Sequence, residues 1–469
     1  MRVLDALVSQ DFCRVADSQR SDGNRVHLLC DGPETFPAWL DAIAGAARAV
    51  HLENYILQED RVGQQFADAL LAAAGRGAAV RVIYDWMGCL PRTSSRFWQR
   101  LTDGGVHVRR YNPPRLRNPL GWISRDHRKV LCVDGRVAFT GGLCIGHDWM
   151  GDPARGIPPW RDTAIRIEGP AVAHIDAAFA DSWASIGGGP GQGGPAMAVA
   201  GSPAAAGSVG VSVVAGRPHG GGLYRLEQLI AEVAERSLWL TDGYFVATTA
   251  YVRALADAAR AGVDVRLLVP GSSNWPVVGA LSKLAYRPLL EAGVRVFEWN
   301  GPMVHAKTAV ADGCLTRIGS SNSNLASWIS NRELDVTVVD DVLAGQMQAM
   351  YERDIASSTE VKLERGARTL AGTNRPPTDA AAGRLLSGAI GLGHTLGASL
   401  SQDRQLGSSD SAVLLGGGVL LLVTGLLAVL TPRLIAYPIG LAALWFAAGL
   451  LLHAWKLRRA NRTANASET

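Results

Sequence analysis

Cysteine is scarce and unpatterned in this sequence of 469 residues: there are six, at 13, 30, 89, 132, 144 and 314, with no CxxC pair. That spacing excludes a disulfide framework and a cysteine-based zinc site, and a reducing, cytoplasmic setting is expected. An excess of one charge is also lacking. Lys and Arg number 46 against 42 Asp and Glu, a balance of +4 that demands no nucleic-acid partner, and none is expected. The opening MRVLDALVSQDFCRVADSQR has scattered acids and no apolar run, so no signal peptide is expected.

Long apolar runs are present near the other end. Residues 411–430 carry no charge, and 434–455 none apart from His453. Roughly twenty apolar residues at about 1.5 Å each cover the hydrocarbon core of a bilayer. A transmembrane hairpin over 411–455 is therefore expected. Lys456, Arg458, Arg459 and Arg462 follow it, against Arg433 alone in the turn. This places the 456–469 tail and the long N-terminal part in the cytoplasm, on the inner membrane.

The main signal is a duplication. HRKVLCVD (127–134) and HAKTAVAD (305–312) share His, Lys and Asp at fixed spacing, and each is followed by a glycine-led pair, Gly141-Gly142 or Gly319-Ser320. The flanks repeat as well: ARAVHLENYIL (47–57) matches ERSLWLTDGYFV (235–246), and GRGAAVRVIYD (75–85) matches ARAGVDVRLLVP (259–270). Helices and buried strands alternate in each copy. The expected fold is α/β: two layered repeats, 1–186 and 209–361, sharing one cleft. A Gly/Pro/Ala linker spans 187–208, and a second linker, 362–410, precedes the hairpin.

Asp134-Gly135 and Asp312-Gly313 between apolar runs predict two β-hairpins. His and Lys, two apart, then lie on one face, while the Asp sits at the turn and mainly holds the hairpin. Neither copy alone has both a nucleophile and a general acid. Together, His127 and His305 support in-line displacement at phosphorus, one imidazole starting neutral and the other protonated. Lys129 and Lys307 would neutralise the non-bridging oxygens, with a hydrogen bond from Asn322. Asp162 and Glu333, each just ahead of a β-rich run, are candidates to hold the far ring nitrogens. Gly142 and Ser320 are candidates to offer backbone N–H groups to phosphate. Arg125, one of six Arg in the run 107–129, is a candidate for lipid phosphate. No metal site is expected, because Lys is no ligand and His and Cys do not cluster.

The duplicated HxKxxxxD motif resembles the phospholipase D superfamily over roughly residues 25 to 360. HLENYIL, VRVIYDWMG, WRDTAIRIEGPAV and AYRPLLEAGVRVFEW resemble its bacterial cardiolipin synthase branch. The resemblance implies a metal-free and cofactor-free reaction through a phosphohistidine on His127, with His305 as acid and then base. It implies membrane phospholipid as partner, two phosphatidylglycerols giving cardiolipin and glycerol. The alternatives are a hydrolase of the same fold, acting on phospholipid or nucleic acid, and a scaffold with a decayed site. One departure stands out: Cys144 occupies the place where the family usually has Asn, leaving Asn322 as the single such amide.

Overall fold

Strand 129–133, KVLCV, is buried at every position, and the reason is that both of its faces are covered. Val130 and Cys132 face a core shared with the other half of the molecule, while Leu131 and Val133 face a core formed with their own half's helices. Period-two alternation in a fully apolar strand is how a buried strand serves two interfaces at once. The computed structural model describes residues 10–90, 92–114, 124–187 and 203–363, with Tyr437, Leu441 and Leu444 beyond them.

The strands are β1 (Ser18–Cys30), β2 (Ala49–Asn54), β3 (Ala79–Asp85), β4 (His107–Tyr111), β5 (Lys129–Val133), β6 (Val137–Gly141) and β7 (Thr163–Glu168). The second half has β8 (Val209–Gly216), β9 (Ser237–Asp242), β10 (Asp264–Pro270), β11 (Arg295–Trp299), β12 (Lys307–Ala311), β13 (Leu315–Gly319) and β14 (Glu333–Val339), and β15 (Ser358–Val361) is added at its edge. The order β1-β7-β6-β5-β2-β3-β4 recurs as β8-β14-β13-β12-β9-β10-β11. In both halves a parallel trio meets an antiparallel meander. The long β1 joins them: Ser18–Asn24 pairs with β8 and Arg25–Cys30 with β7, with a register shift between Ser21 and Asn24.

Between the two halves lies an apolar core in which Val130, Ile165 and Ile167 meet Val213, Val310, Leu334 and Val336, all nearly inaccessible. Burying each such side chain contributes about 1.5–3 kcal/mol. Helices such as Arg61–Gly75 and Thr249–Arg260 cover the outer faces. Asp60 and Thr248 cap their first turns, and Gly77 (φ +94°) and Gly262 (φ +97°) turn the chain just past their ends. The duplicated part, through Leu363, packs as one compact unit.

Both predicted hairpins form. Asp134 and Gly135 have φ of +54° and +65°, Asp312 and Gly313 +53° and +69°, the positive pairs of a tight hairpin turn. Asp134 accepts hydrogen bonds from the N–H groups of Ala47, Arg48 and Ala49, and Asp312 from those of Glu235, Arg236 and Ser237. Counted with the catalytic groups for their place in the motif, the two aspartates make these anchoring bonds at the turn. Five strand residues at roughly 3.3 Å each separate them from the His ends. Burial pushes the Asp134 carboxyl up, but the three N–H donors outweigh it and hold the group below the usual range. Its stabilising contribution is thus present above the ordinary carboxylate value and lost as pH falls through the lower folded value. Asp134→Ala is expected to destabilise the protein by roughly 2–4 kcal/mol while leaving turnover per folded molecule near normal. Denaturant melts beside initial rates check both.

The hairpin expected at 411–455 and the linker expected at 362–410 fall almost wholly outside the described residues, as do residues 188–202 of the linker expected at 187–208. Among the described residues no helix is long and apolar enough to cross a membrane.

Candidate active site

Each half delivers its motif histidine just ahead of a central strand, next to the segment that leads into the other half's acid. Asp126 bridges Arg332 in parallel, and Arg161 bridges Val304. The backbone N–H of His127 donates to the Arg332 carbonyl at 2.8 Å, and that of His305 to the Arg161 carbonyl at 2.7 Å. One step further along, the carboxylates arrive. Glu333 of the second half is 3.0 Å from His127 Nδ1, and Asp162 of the first half is 2.8 Å from His305 Nδ1. The pairing is crosswise: each histidine is held by the other half's acid.

The acids are themselves held. Glu333 accepts from the hydroxyls of Ser320 and Ser327, both at 2.6 Å, and from the Asn331 amide at 3.3 Å. Asp162 accepts from the Trp149 indole N–H at 2.9 Å and the Thr163 N–H at 2.8 Å. Burial raises both carboxyls, but His127 with Lys129 outweighs it at Glu333, and His305 with Lys307 at Asp162, so both acids stay below their ordinary values. Burial takes His305 down to about 3, Lys307 adding to the drop and Asp162 opposing it. Burial also lowers His127, against Glu333 and with help from both lysines. Each Nδ1 faces a carboxylate, which favours the tautomer with the proton at Nδ1 and the lone pair at Nε2, although Lys307 Nζ also lies 3.1 Å from His305 Nδ1.

In the free protein burial thus disfavours the protonated form that one of the two rings is expected to take. Burial is the main cause, and the positive charge of the two lysines adds to it at both rings. A bound phosphodiester would offset the lysines and raise His305. The falling limb of kcat, which reports the complex, is therefore expected at higher pH than that of kcat/KM, which reports the free protein. Coincident limbs would show that the lysines do not govern the imidazole.

Lys129 and Lys307 are fully buried, and each folds back on its own motif. Nζ of Lys129 donates to the His127 carbonyl at 2.5 Å, and Nζ of Lys307 donates to that of His305. Burial brings Lys307 down to about 8. The lysines rest over Tyr55 and Tyr244, at 5.2 and 5.6 Å from the ring centres. The same tyrosines present edges to the histidines, Tyr55 at 4.8 Å from His127 and Tyr244 at 5.6 Å from His305. Sequence reasoning did not single them out. The signal was there, in the matched LENY and LTDGY that close β2 and β9. Trp149 and Trp160, whose rings lie 5.3 and 5.8 Å from His305, were also missed and have no such matched signal.

Three expected phosphate contacts are corrected. The N–H of Gly142 is spent on the Thr163 carbonyl, and that of Ser320 on Leu334 and Asp335. Neither is free for phosphate, because both continue the pairing of their strands. Gly142 is instead required by space: a Cβ there would lie 2.1 Å from Asp162 Oδ1. Ser320 orients Glu333 through its hydroxyl. Arg125 is buried against Asp85 (3.1 Å) and the Asn112 carbonyl (3.2 Å), bracing the segment that carries His127. Asn322 is 5% exposed with no partner for its Oδ1 among the described residues. Cys144, its counterpart, is buried, and burial keeps it a thiol despite Lys129 nearby.

A duplicated α/β core with a His–Lys pair from each half is the architecture that the phospholipase D resemblance implies. The family described as cardiolipin synthase, PLD-like domain, matches residues 39–149 and 226–355, and the chain belongs to it. It is 33% identical over 348 residues to cardiolipin synthase A of Pseudomonas aeruginosa (strain LESB58), covering 72% of this chain and 68% of that one. It is 31% identical over 359 residues to a cardiolipin synthase of Geobacillus sp. (strain WCH70), covering 75% and 70%. The crystal structure of phosphatidylserine synthase from Haemophilus influenzae Rd KW20 shares the fold, with a TM-score of 0.53 at 14% identity over 72% of this chain and 87% of that one.

Proposed function

We propose that this protein is a phosphatidyltransferase that converts two phosphatidylglycerols into cardiolipin and glycerol through a phosphohistidine. The carrying observation is the pair of imidazoles, each held at Nδ1 by the opposite half's carboxylate, with two buried lysines beside them. In the first step His127 Nε2 attacks phosphorus, the bond to the glycerol oxygen breaks, and His305, protonated in the complex, gives that oxygen its proton. In the second step His305 takes the proton from a hydroxyl of another phosphatidylglycerol, whose oxygen displaces His127. The lysines and the Asn322 amide stabilise the oxygens that gain charge. One phosphodiester replaces another, so no nucleotide or cofactor is consumed. Membership of the cardiolipin synthase family supports the choice of substrate.

The surface supports approach to lipid. Asn54 of β2 pairs with Lys129, so the ends of β2, β3 and β6 and the start of β5 share the His127 edge, and the second half repeats this. The segments leaving those strand ends expose Leu90, Ile157, Trp275, Leu325 and Ile329. Exposed large apolar side chains around a site suit a lipid interface. A membrane hairpin at 411–455 with the catalytic part in the cytoplasm completes the reading. Tyr437, Leu441 and Leu444 in that segment are helical and exposed at i, i+4 and i+7.

The test is product analysis after incubating the full chain with phosphatidylglycerol vesicles. Cardiolipin and glycerol in equal amounts are expected. Phosphatidic acid alone would replace the transferase by a hydrolase.

A further inference from the structure

The two half-sites are built from different materials. Around the His127–Glu333 pair the supporting groups are small and polar: Ser320, Ser327 and Asn331. Each histidine has a tyrosine beside it, Tyr55 or Tyr244, and the His305–Asp162 pair adds two tryptophans to that. The Trp149 ring lies 5.3 Å from the His305 ring, Trp160 at 5.8 Å and Tyr244 at 5.6 Å, and the two tryptophans touch at 4.7 Å. The repeat makes one exchange explicit. Trp160-Arg161-Asp162 and Asn331-Arg332-Glu333 occupy matched places, so Trp160 stands where the other half has Asn331.

Trp149 is almost wholly buried and carries the Asp162 hydrogen bond, so its place is structural. Trp160 is half-buried, its ring accepts no duty toward Asp162, and its backbone N–H is pinned to the Asp148 carbonyl at 2.9 Å. Its ring lies beside the His305 imidazole, at a place that carries an amide in the other half. In the proposed reaction that imidazole is the base that activates the acceptor.

We infer that Trp160 determines which acceptor is used, keeping water from His305 so that a lipid hydroxyl takes the phosphatidyl group. The inference rests on the transferase reading. An indole face offers no hydrogen bond to a water molecule waiting beside the Nε2 lone pair, whereas a lipid alcohol arrives with an apolar body to pack there. With the indole removed, water attacks the phosphorus–nitrogen bond: a P–O bond forms, His127 leaves with its lone pair, and His305 takes the proton. The product is phosphatidic acid. Trp160 is a specificity-determining residue in this scheme, and because His305 serves both steps the diagnostic quantity is the ratio of products, not the total rate.

The experiment compares the full chain with Trp160→Asn, the residue of the other half, and Trp160→Leu, which keeps an apolar side chain. All three are given phosphatidylglycerol vesicles in heavy-oxygen water, and cardiolipin, labelled phosphatidic acid and glycerol are quantified. Trp160→Asn is expected to raise the ratio of phosphatidic acid to cardiolipin by about tenfold or more, whatever the total rate of glycerol release. Trp160→Leu is expected to keep a low ratio. A purely structural role would lower all products together and leave the ratio unchanged in Trp160→Asn, and that result overturns the inference. If Trp160→Asn does not fold, Trp160→His is the substitute, with the same two outcomes. An unmodified chain that makes no cardiolipin would overturn the transferase reading instead, so the two failures are told apart by different samples.

Discussion

His127→Ala and His305→Ala are each expected to lower turnover by at least about 10³-fold, with the folded structure retained. Each ring has a role that the other cannot take over in the same step, one bonding to phosphorus and one moving the proton. The double substitution should therefore be scarcely slower than either single one. Rates on phosphatidylglycerol vesicles, with thermal melts to show that folding is intact, measure this. Two active single variants and a far slower double variant would mean that the histidines serve separate sites, against the crosswise bonding of the two halves. Losing an imidazole also leaves a buried carboxylate, Glu333 or Asp162, without its ring partner. Some loss of stability is expected with it, of the order of 1–3 kcal/mol.

The next largest effect is expected from Asp162→Asn and Glu333→Gln, about 10²- to 10³-fold on kcat with little change in KM. Either amide can turn its N–H toward the imidazole, which moves the ring proton to Nε2 and removes the lone pair that the chemistry uses. Glu333→Gln acts on His127 and should abolish the early release of glycerol. Asp162→Asn acts on His305 and should slow both steps. A double-mutant cycle separates crosswise from same-half pairing: strong coupling is expected for His127 with Glu333, and weak coupling for His127 with Asp162. The reverse pattern would contradict the geometry.

Much of this was legible in the sequence because the duplication prints itself twice. The two hairpins, the alternating buried strands, the Gly past each helix and the His–Lys spacing follow from local patterns repeated at matched positions. Asp162 and Glu333 were legible as acids ahead of β-rich runs. That each serves the opposite half was not, because a bond between residues 206 apart has no local trace. The backbone N–H groups of Gly142 and Ser320 look free in a sequence, and they are consumed only once β7 and β14 pair alongside. Trp160 was illegible for a different reason: repeat reasoning looks for what matches, and Trp160 stands at a position where the other copy has Asn331.

Covalent duplication has a consequence for how such a site can change over time. Two identical subunits meeting about a twofold axis must carry the same residue at both related places, so a substitution good for one imidazole is imposed on the other. Here the copies share a chain, joined through β1, and each position is inherited separately. Trp160 opposite Asn331 and Cys144 opposite Asn322 are the record of that freedom. The crosswise bonds still hold the two copies to a common geometry, while the walls around them are at liberty to specialise, one for the donor and one for the acceptor.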